Sequence, residues 1–192
     1  MEAVVWSDYL CPWCYVGQDR TALLRSLGVT VTVLPYELRP DVPAGGVPTA
    51  RRYRGPTAEA EDAGMPFRPP TIVPNTHQVL AVAEWVRRRR PERFNALHRT
   101  LFAAYFAEGL DIGVPDVLHA LVERVGIEPT TVEPELGFAW LAESMAAARE
   151  ADVFAVPAWR FETGAVISGV QPRAFYERVV QKLTSTSSSP PS

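Results

Sequence analysis

The chain has 192 residues, of which 47% are hydrophobic and 21% charged, a balance typical of one folded domain with a sizeable core. Its formal net charge of −3 excludes the basic excess of general nucleic-acid or membrane-surface binders, and no apolar run approaches the ~20 residues of a membrane span. Met1–Tyr9 lacks the basic start and apolar stretch of a signal peptide, so we expect a cytoplasmic protein with neither nucleic acid nor membrane as partner.

The N-terminal segment predicts a strand, a helix and a second strand. Ala3–Trp6 is β-prone, and Pro12 suits the first position of a helix because its missing N–H needs no partner there. Helical spacing of apolar residues continues to Gly28, which predicts the helix end, while Gly17 inside the helix indicates close packing. Val29–Val33 alternates valine with threonine. The order is that of a βαβ unit, whose connection is right-handed.

The middle of the chain predicts a loop and then helices. Pro40–Pro74 is rich in Pro, Gly and Arg with little periodicity, which indicates a long ordered loop that can include short helical turns. Four helical patterns follow. The first has Asn75 as its candidate N-cap, the second and third open at Pro91 and Pro115, and the fourth covers roughly Glu135–Ala151.

Strand patterns return near the C-terminus. After Pro157, two short β-prone segments flank a turn at Thr163-Gly164 and predict an antiparallel hairpin. A last helix follows Pro172. The tail from Thr184 to the end, residues 184–192, is nearly all Ser, Thr and Pro and is expected to be disordered.

The two cysteines, Cys11 and Cys14, form a Cys-x-x-Cys motif at the predicted start of the first helix. Sulfur atoms at this spacing can meet across one helical turn. Unpaired N–H groups and the helix dipole favour the thiolate of the first cysteine. Because the thiolate is the attacking species, Cys11 is the predicted nucleophile and Cys14 the resolving thiol that releases a mixed disulfide.

Two other interpretations of the motif are half of a zinc site and a structural disulfide. Zinc needs two further ligands, and the three histidines, His77, His98 and His119, lack the spacing of a zinc motif. A disulfide that closes so short a loop removes little entropy from the unfolded chain. We therefore expect no bound metal and favour redox chemistry.

The dipeptide Val156-Pro157 directly precedes the predicted hairpin. A cis X–Pro bond is uncommon and usually a specific feature of a fold, whereas a trans proline that opens an edge strand is the ordinary alternative. Its combination with an upstream Cys-x-x-Cys on a βαβ unit favours the cis form.

The chain resembles the thioredoxin superfamily and, within it, the DsbA family with a helical insertion. It is most similar to the FrnE-type branch of cytoplasmic DsbA-like oxidoreductases, which is often grouped with the 2-hydroxychromene-2-carboxylate isomerases. The resemblance runs nearly end to end and is carried by Ser7–Gly17, Tyr36–Pro40, Pro74–Thr76, Leu101–Ile112 and Val153–Pro157. It departs at Val79-Leu80-Ala81, where the branch usually carries Ala-His-Arg.

The resemblance implies an α/β, thioredoxin-like fold with an α-helical insertion domain. Met1–Gly45 and Ala151–Leu183 are expected to form the thioredoxin-like domain, and Gly46–Glu150 the insertion.

The resemblance also implies roles around the cysteines. Pro157 is expected to be cis beside the pair, with the Val156 backbone binding an extended substrate. Pro12 and Trp13 are expected to contact substrate, and Trp13 to tune the redox potential. The isomerase relatives use glutathione on an aromatic substrate and typically lack the full cysteine pair, so the presence of both cysteines favours redox chemistry.

The main hypothesis is a cytoplasmic thiol–disulfide oxidoreductase that acts on protein or small-molecule thiols and disulfides. It holds no cofactor and uses glutathione or another dithiol/disulfide partner as co-substrate. The alternatives are a glutathione-dependent isomerase or transferase and a redox-switched partner-binding protein. A homodimer, and a contribution of Glu37, Asn75 or His77 to the site, are left open. The run Arg87–Arg90 is interpreted as a solvated helix end.

Overall fold

A computed structural model of the protein describes residues 1–49 and 55–187. Its strands are β1 (Glu2–Ser7), β2 (Thr30–Pro35), β3 (Val47–Pro48), β4 (Ile72–Val73), β5 (Ala158–Phe161) and β6 (Val166–Ser168). Its α-helices are α1 (Pro12–Ser26), α2 (Thr57–Asp62), α3 (His77–Arg89), α4 (Pro91–Ala103), α5 (Pro115–Arg124), α6 (Pro134–Glu150) and α7 (Arg173–Ser187). A π-helical turn over Ala104–Glu108 extends α4, and a short 3₁₀ turn covers Pro129–Thr131.

The main sheet has the order β2-β1-β5-β6 and takes its strands from both ends of the chain. β1 pairs in parallel with β2 across α1, which confirms the predicted βαβ unit. β5 and β6 form the predicted antiparallel hairpin, and β5 also pairs antiparallel with β1. The α/β fold class is confirmed.

Helix α1 begins and ends where its sequence indicates. Cys11 caps it in an extended conformation, and Pro12 takes the first helical position. Gly28 follows the helix with a φ of +84°, a conformation that favours glycine. Gly17 faces the hairpin, because a Cβ added there would lie 3.3 Å from the ring of Trp159 and 3.4 Å from Pro157. The close packing inferred from this glycine is therefore present.

The predicted loop at Pro40–Pro74 includes a short helix, as the sequence allows, and also a two-stranded sheet that the sequence analysis did not predict. It contains α2 and a two-stranded antiparallel sheet of β3 and β4, while its residues 50–54 lie outside the described part. Asn75 is not the N-cap of α3, because Thr76 precedes the first helical residue. Its Oδ1 nevertheless accepts the amide of His77 at 3.0 Å, so the amide side chain still satisfies a free N–H at this helix end.

The C-terminal helix α7 extends past the predicted start of the disordered tail. It continues to Ser187, so the expectation of disorder from Thr184 is wrong for residues 184–187. The Thr184 hydroxyl donates to the carbonyl of Val180 at 3.0 Å, and the Ser185 hydroxyl donates to that of Gln181 at 3.0 Å. Ser and Thr side chains inside a helix bond in this way to carbonyls of the preceding turn. Residues 188–192 lie outside the described part.

One continuous cluster of buried apolar residues runs from the sheet into the middle helices. In it, the ring of Tyr15 on α1 stacks on Phe106 at 5.1 Å, and Phe106 stacks on Phe67 at 5.7 Å. The Tyr15 hydroxyl donates to the carbonyl of Pro66 at 2.6 Å. The helix that carries the cysteines is thus fixed to the middle of the chain.

The arginine run at the end of α3 is held by neighbouring side chains. The guanidinium groups of Arg87 and Arg88 bind the buried carboxylate of Glu84, and Arg88 also pairs with Glu143. Arg88 lies 4.8 Å from the ring centre of Trp140. In the described residues no helix is both long and apolar enough to span a bilayer.

Candidate active site

The two cysteines occupy the first turn of α1. Cys11 is its N-cap, and its carbonyl accepts the amides of Cys14 and Tyr15, each at 3.1 Å. Both residues are free thiols, and both are buried. Cys11 is only 3% exposed, and its thiol donates to the carbonyl of Val156 at 3.5 Å. The structure therefore brings the predicted nucleophile against the loop that precedes β5.

The surroundings of the two thiols separate their acidities. The Cys14 thiol donates to the sulfur of Cys11 and lowers the pKa of Cys11, and the amides of Cys14 and Trp13 act in the same direction. Burial and the charge of Asp8 oppose this effect on Cys11. For Cys14, burial raises the pKa well above its ordinary value, and the bond to Cys11 raises it further. Cys11 is thus the more readily ionised thiol of the pair.

The Val156-Pro157 peptide bond is cis, as expected from the sequence. The carbonyl of Pro157 accepts the amide of Gly169 at 2.8 Å, and the amide of Val153 donates to Ala148 at 2.9 Å. These bonds fix the loop at both ends. Val156 therefore presents its carbonyl to Cys11 from a fixed backbone.

The other predicted site residues lie at the same helix start. Pro12 is partly exposed, and Trp13 is 39% exposed between the two cysteines. The structure thus places together Cys11, Pro12, Trp13, Cys14, Val156 and Pro157. Their chemical roles stay predictions.

Asp8 is a buried acid that the sequence analysis did not single out. Its side chain is fully buried, and its carboxylate accepts the amides of Leu38 at 2.7 Å and Leu10 at 3.3 Å. Burial raises its pKa from 3.8 to about 6, against the effect of these hydrogen bonds. The signal in the sequence was an acidic residue between a β-prone strand and the cysteines.

Glu37 and His77 form a pair near Asp8. Glu37 Oε1 and His77 Nδ1 are 3.0 Å apart, and the imidazole stacks on Phe138 at 4.7 Å. Glu37 adjoins Leu38, which binds Asp8, and its charge contributes to the raised pKa of Asp8. Asn75 instead donates to the carbonyl of Val42 at 2.6 Å. Glu37 thus acts on Asp8 through its charge.

A hydrogen bond joins the cysteine loop to α4. The Tyr9 hydroxyl lies 3.0 Å from Nδ1 of His98, whose ring also packs edge-on against Phe102. Burial, and then the charges of Arg25 and Arg99, lower the pKa of His98 to about 3. The imidazole is therefore neutral at physiological pH. Across residues 1–49 and 55–187, no three His, Cys, Asp or Glu side chains are grouped to hold a metal ion.

Phe154 is the second feature that the sequence analysis missed. It lies two residues before Val156, and 71% of its surface is exposed. Its neighbours Val153 and Val156 are both buried. Because the whole segment is apolar, the sequence pattern did not distinguish the exposed side chain from the buried ones.

Comparisons with known proteins agree with this architecture. Residues 3–181 match the model of the DSBA-like thioredoxin domain family. The curated protein YwbO of Bacillus subtilis is 27% identical over 188 residues, covering 92% of this chain and 94% of YwbO.

Solved structures show the same fold at low sequence identity. A probable DsbA oxidoreductase from Streptomyces coelicolor superposes with a TM-score of 0.84 and 21% identity, covering 100% of this chain and 92% of that one. The cytosolic disulfide reductase DsbM of Pseudomonas aeruginosa, in a structure with glutathione, superposes with a TM-score of 0.67 and 18% identity, covering 96% of this chain and 100% of that one. A 2-hydroxychromene-2-carboxylate isomerase superposes with a TM-score of 0.66 and 18% identity, covering 97% of this chain and 95% of that one. The chain therefore belongs to the DsbA-like thioredoxin-domain family, whose members are generally thiol–disulfide oxidoreductases or related isomerases.

Proposed function

We propose that the protein is a thiol–disulfide oxidoreductase that works through Cys11 and Cys14. One observation carries the proposal. The more acidic thiol, that of Cys11, lies at the helix start 3.5 Å from the Val156 carbonyl, with the less acidic thiol of Cys14 one turn behind it. A nucleophile with a second thiol beside it is the arrangement that disulfide exchange requires.

The reaction proceeds in two exchanges. The Cys11 thiolate attacks one sulfur of a substrate disulfide, which forms a mixed disulfide and releases the other sulfur as a thiolate that takes up a proton. Cys14 then loses its proton and attacks the Cys11 sulfur, which releases the second substrate thiolate. Two electrons pass from the protein dithiol to the substrate, and the protein is left with a Cys11–Cys14 disulfide. In the reverse direction the same steps oxidise a substrate dithiol.

The raised pKa of Cys14 gives this residue its separate role. A thiol that stays protonated does not compete with Cys11 for the first attack. Once Cys11 is in a mixed disulfide, its negative charge and its hydrogen bond no longer oppose ionisation of Cys14. Release of the mixed disulfide therefore follows its formation.

We place this chemistry in the cytoplasm, on protein or small-molecule thiols and disulfides, with glutathione as a co-substrate that returns the protein to its dithiol form. The cytosolic disulfide reductase DsbM shares the fold and has been solved with glutathione, which supports this part of the proposal. Two glutathione molecules reduce one protein disulfide and leave one glutathione disulfide. Cell fractionation tests the location.

A redox titration of the purified protein against glutathione and its disulfide tests the function. Trp13 fluorescence and mass spectrometry are expected to report one reversible disulfide between Cys11 and Cys14. The variant Cys14→Ser is expected to accumulate the mixed disulfide and to lose turnover, whereas a glutathione-dependent isomerase would keep its activity without the second thiol. Failure to form the Cys11–Cys14 disulfide at any glutathione ratio would overturn the proposal.

A further inference from the structure

Strand β2 forms one edge of the main sheet, with β1 as its neighbour on the other side. The amides of Thr30 and Tyr36, at even positions, point toward β1 and lie 3.0 and 2.9 Å from their acceptor carbonyls. The N–H and C=O of one strand residue point to the same side, and successive residues alternate. The backbone groups of the odd positions therefore point to the free edge: Val31, Val33 and Pro35.

Two side chains cover part of this edge. Arg25 Nη2 donates to the carbonyl of Val31 at 2.9 Å, and the hydroxyl of Ser144 donates to that of Pro35 at 2.7 Å. Within residues 1–49 and 55–187, the amide of Val31 and both backbone groups of Val33 have no partner. Both valines are only 6% exposed. Since buried backbone groups are nearly always paired, these three mark a place where another molecule can bond to the edge.

A groove of about 220 Å³ runs along the same edge. Its floor is Val31–Val33, and its polar walls are Arg25, Arg87 and Asn95. In the described part of the chain, no Asp or Glu lines it. The groove is smaller than the ~300–1,000 Å³ of pockets that enclose a small molecule, so it suits a short part of a longer chain. None of its residues belongs to the cysteine site.

The groove carries an excess of positive charge. Arg87 shares the buried carboxylate of Glu84 with Arg88, so one negative charge faces two guanidinium groups. Arg25 forms no ion pair with any residue that the structure describes. Partial burial, and then the charge of Arg99, lower the pKa of Arg25. A carboxylate bound beside Arg25 would offset this repulsion.

The pattern of donors and acceptors selects a polypeptide among the possible anions. Val33 offers an N–H and a C=O side by side, and one residue of an added strand pairs with both. Phosphate or a free carboxylate would accept from the N–H groups and leave the carbonyl of Val33 without a donor. Acidic side chains of the added strand would then meet the arginines.

We propose that this groove binds an extended acidic segment of a partner polypeptide, which pairs with Val33 as a short additional strand and places carboxylates against Arg25 and Arg87. The inference goes beyond the proposed oxidoreductase function and does not depend on it. Arg25 and Ser144 cover the edge at its two ends, so they limit the added strand to a few residues and prevent longer edge-to-edge pairing.

Binding of defined peptides to isotope-labelled protein, followed by nuclear magnetic resonance, tests the proposal. The first peptide has ten residues of alternating Glu and Thr, the second has Lys in place of Glu, and the third is the first with its backbone amides N-methylated. Inorganic phosphate is the fourth probe. The Glu peptide is expected to shift the amide signals of Val31 and Val33 and to bind about tenfold more tightly than the other two peptides, because only it supplies both carboxylates and backbone donors.

Variants connect this binding to the groove. Arg25→Gln is expected to weaken binding of the Glu peptide roughly two- to fivefold, as expected for loss of one partly exposed charge, while Arg25→Lys retains most of the affinity. Arg160→Gln removes an exposed arginine on β5, outside the groove, and is the matched control that leaves binding unchanged. The amide spectrum of each variant checks that it is folded.

Several outcomes would overturn the inference. The Glu peptide does not bind, or it binds without shifting the signals of Val31 and Val33. The N-methylated or the Lys peptide binds as tightly as the Glu peptide, or phosphate produces the same shifts, which would indicate a site without strand pairing. Equal weakening by Arg160→Gln and Arg25→Gln would show a general effect of charge. None of these results bears on the chemistry of Cys11 and Cys14.

Discussion

The carboxylate of Asp8 accepts the amide of Leu38 at 2.7 Å and thereby joins the loop before the cysteines to the chain that leaves β2. A second amide, that of Leu10, lies 3.3 Å from the other carboxylate oxygen. Hydrogen bonds from these amides stabilise the ionised carboxylate, but burial destabilises it by more, since the pKa is raised to about 6. Ionised Asp8 is therefore a source of instability at neutral pH.

Replacing Asp8 by Asn tests this cost. A folded-state pKa of about 6 against 3.8 means that Asp8 favours folding fully below pH 3.8 and that this contribution is lost as the pH rises to about 6. We expect the stability of Asp8→Asn relative to the wild type to increase between pH 3.8 and pH 6, by roughly 3 kcal/mol at most. Urea unfolding across this range measures it. A difference in unfolding free energy between the variant and the wild type that stays constant with pH would contradict the prediction. Asp152→Asn, at an exposed position, is the control.

Cys14 is expected to control the acidity of Cys11. Its thiol donates to the Cys11 sulfur and is the main cause of the lowered pKa of Cys11. Cys14→Ala removes the donor, so the pKa of Cys11 should rise, whereas Cys14→Ser keeps a donor and should raise it less. Ultraviolet absorbance of the thiolate, followed against pH, measures both. If the Cys11 thiol had the same pKa in both variants, the hydrogen bond from Cys14 would not be the cause of its lowered pKa.

His98 is expected to make the fold sensitive to acid in the opposite sense to Asp8. Its pKa is lowered from 6.5 to about 3, so the contribution of neutral His98 to the stability of the fold is complete above pH 6.5 and is lost as the pH falls toward 3. His98→Gln should reduce the loss of stability over this window, whose slope for one proton is at most about 1.4 kcal/mol per pH unit. Unfolding in urea at several pH values measures it. The exposed His119→Gln should behave as the wild type does; a flatter profile for that control would refute the assignment to His98.

Gly137 is expected to tolerate no side chain. A Cβ at this position would lie 2.2 Å from the carbonyl oxygen of Ala81, so α3 and α6 would have to separate. We expect Gly137→Ala to destabilise the fold by at least roughly 2 kcal/mol and to lower the Tm by about 4 °C or more. Gly45→Ala, with no atom within 4 Å of its added Cβ, is the control in the same thermal unfolding experiment. Similar melting of the two variants would show that the contact is absent.

The sequence predicts most of the fold because its signals are local. The βαβ unit, the hairpin and the start of α1 follow from patterns within a few residues of each element, and the cis Val156-Pro157 bond follows from a dipeptide in its family context. The pairing of β3 with β4 was not predictable in this way, since more than twenty residues separate the two strands. Length and alternation carry no signal in strands of two residues.

The sequence predicts that Cys11, Cys14 and the Val156-Pro157 bond lie together, but it does not predict the burial of Asp8 or the exposure of Phe154. Cys11 and Cys14 are recognisable from their spacing alone. The burial of Asp8 depends on Leu38 thirty residues away, and the exposure of Phe154 depends on which of four consecutive apolar residues turns inward. Both are properties of tertiary packing, which periodicity in one segment does not encode.

The central position of β1 has a consequence for synthesis of the protein. This strand and the cysteine helix are synthesised before the other strands of the sheet, and β2 can join them after about thirty residues, but β5 follows only after the middle of the chain. Cys11 and Val156 are 145 residues apart in the chain. A nascent chain therefore carries Cys11 and Cys14 long before the cis-proline loop that Cys11 contacts in the folded protein has been made. Contacts at so long a sequence separation are also the ones expected to form late and slowly.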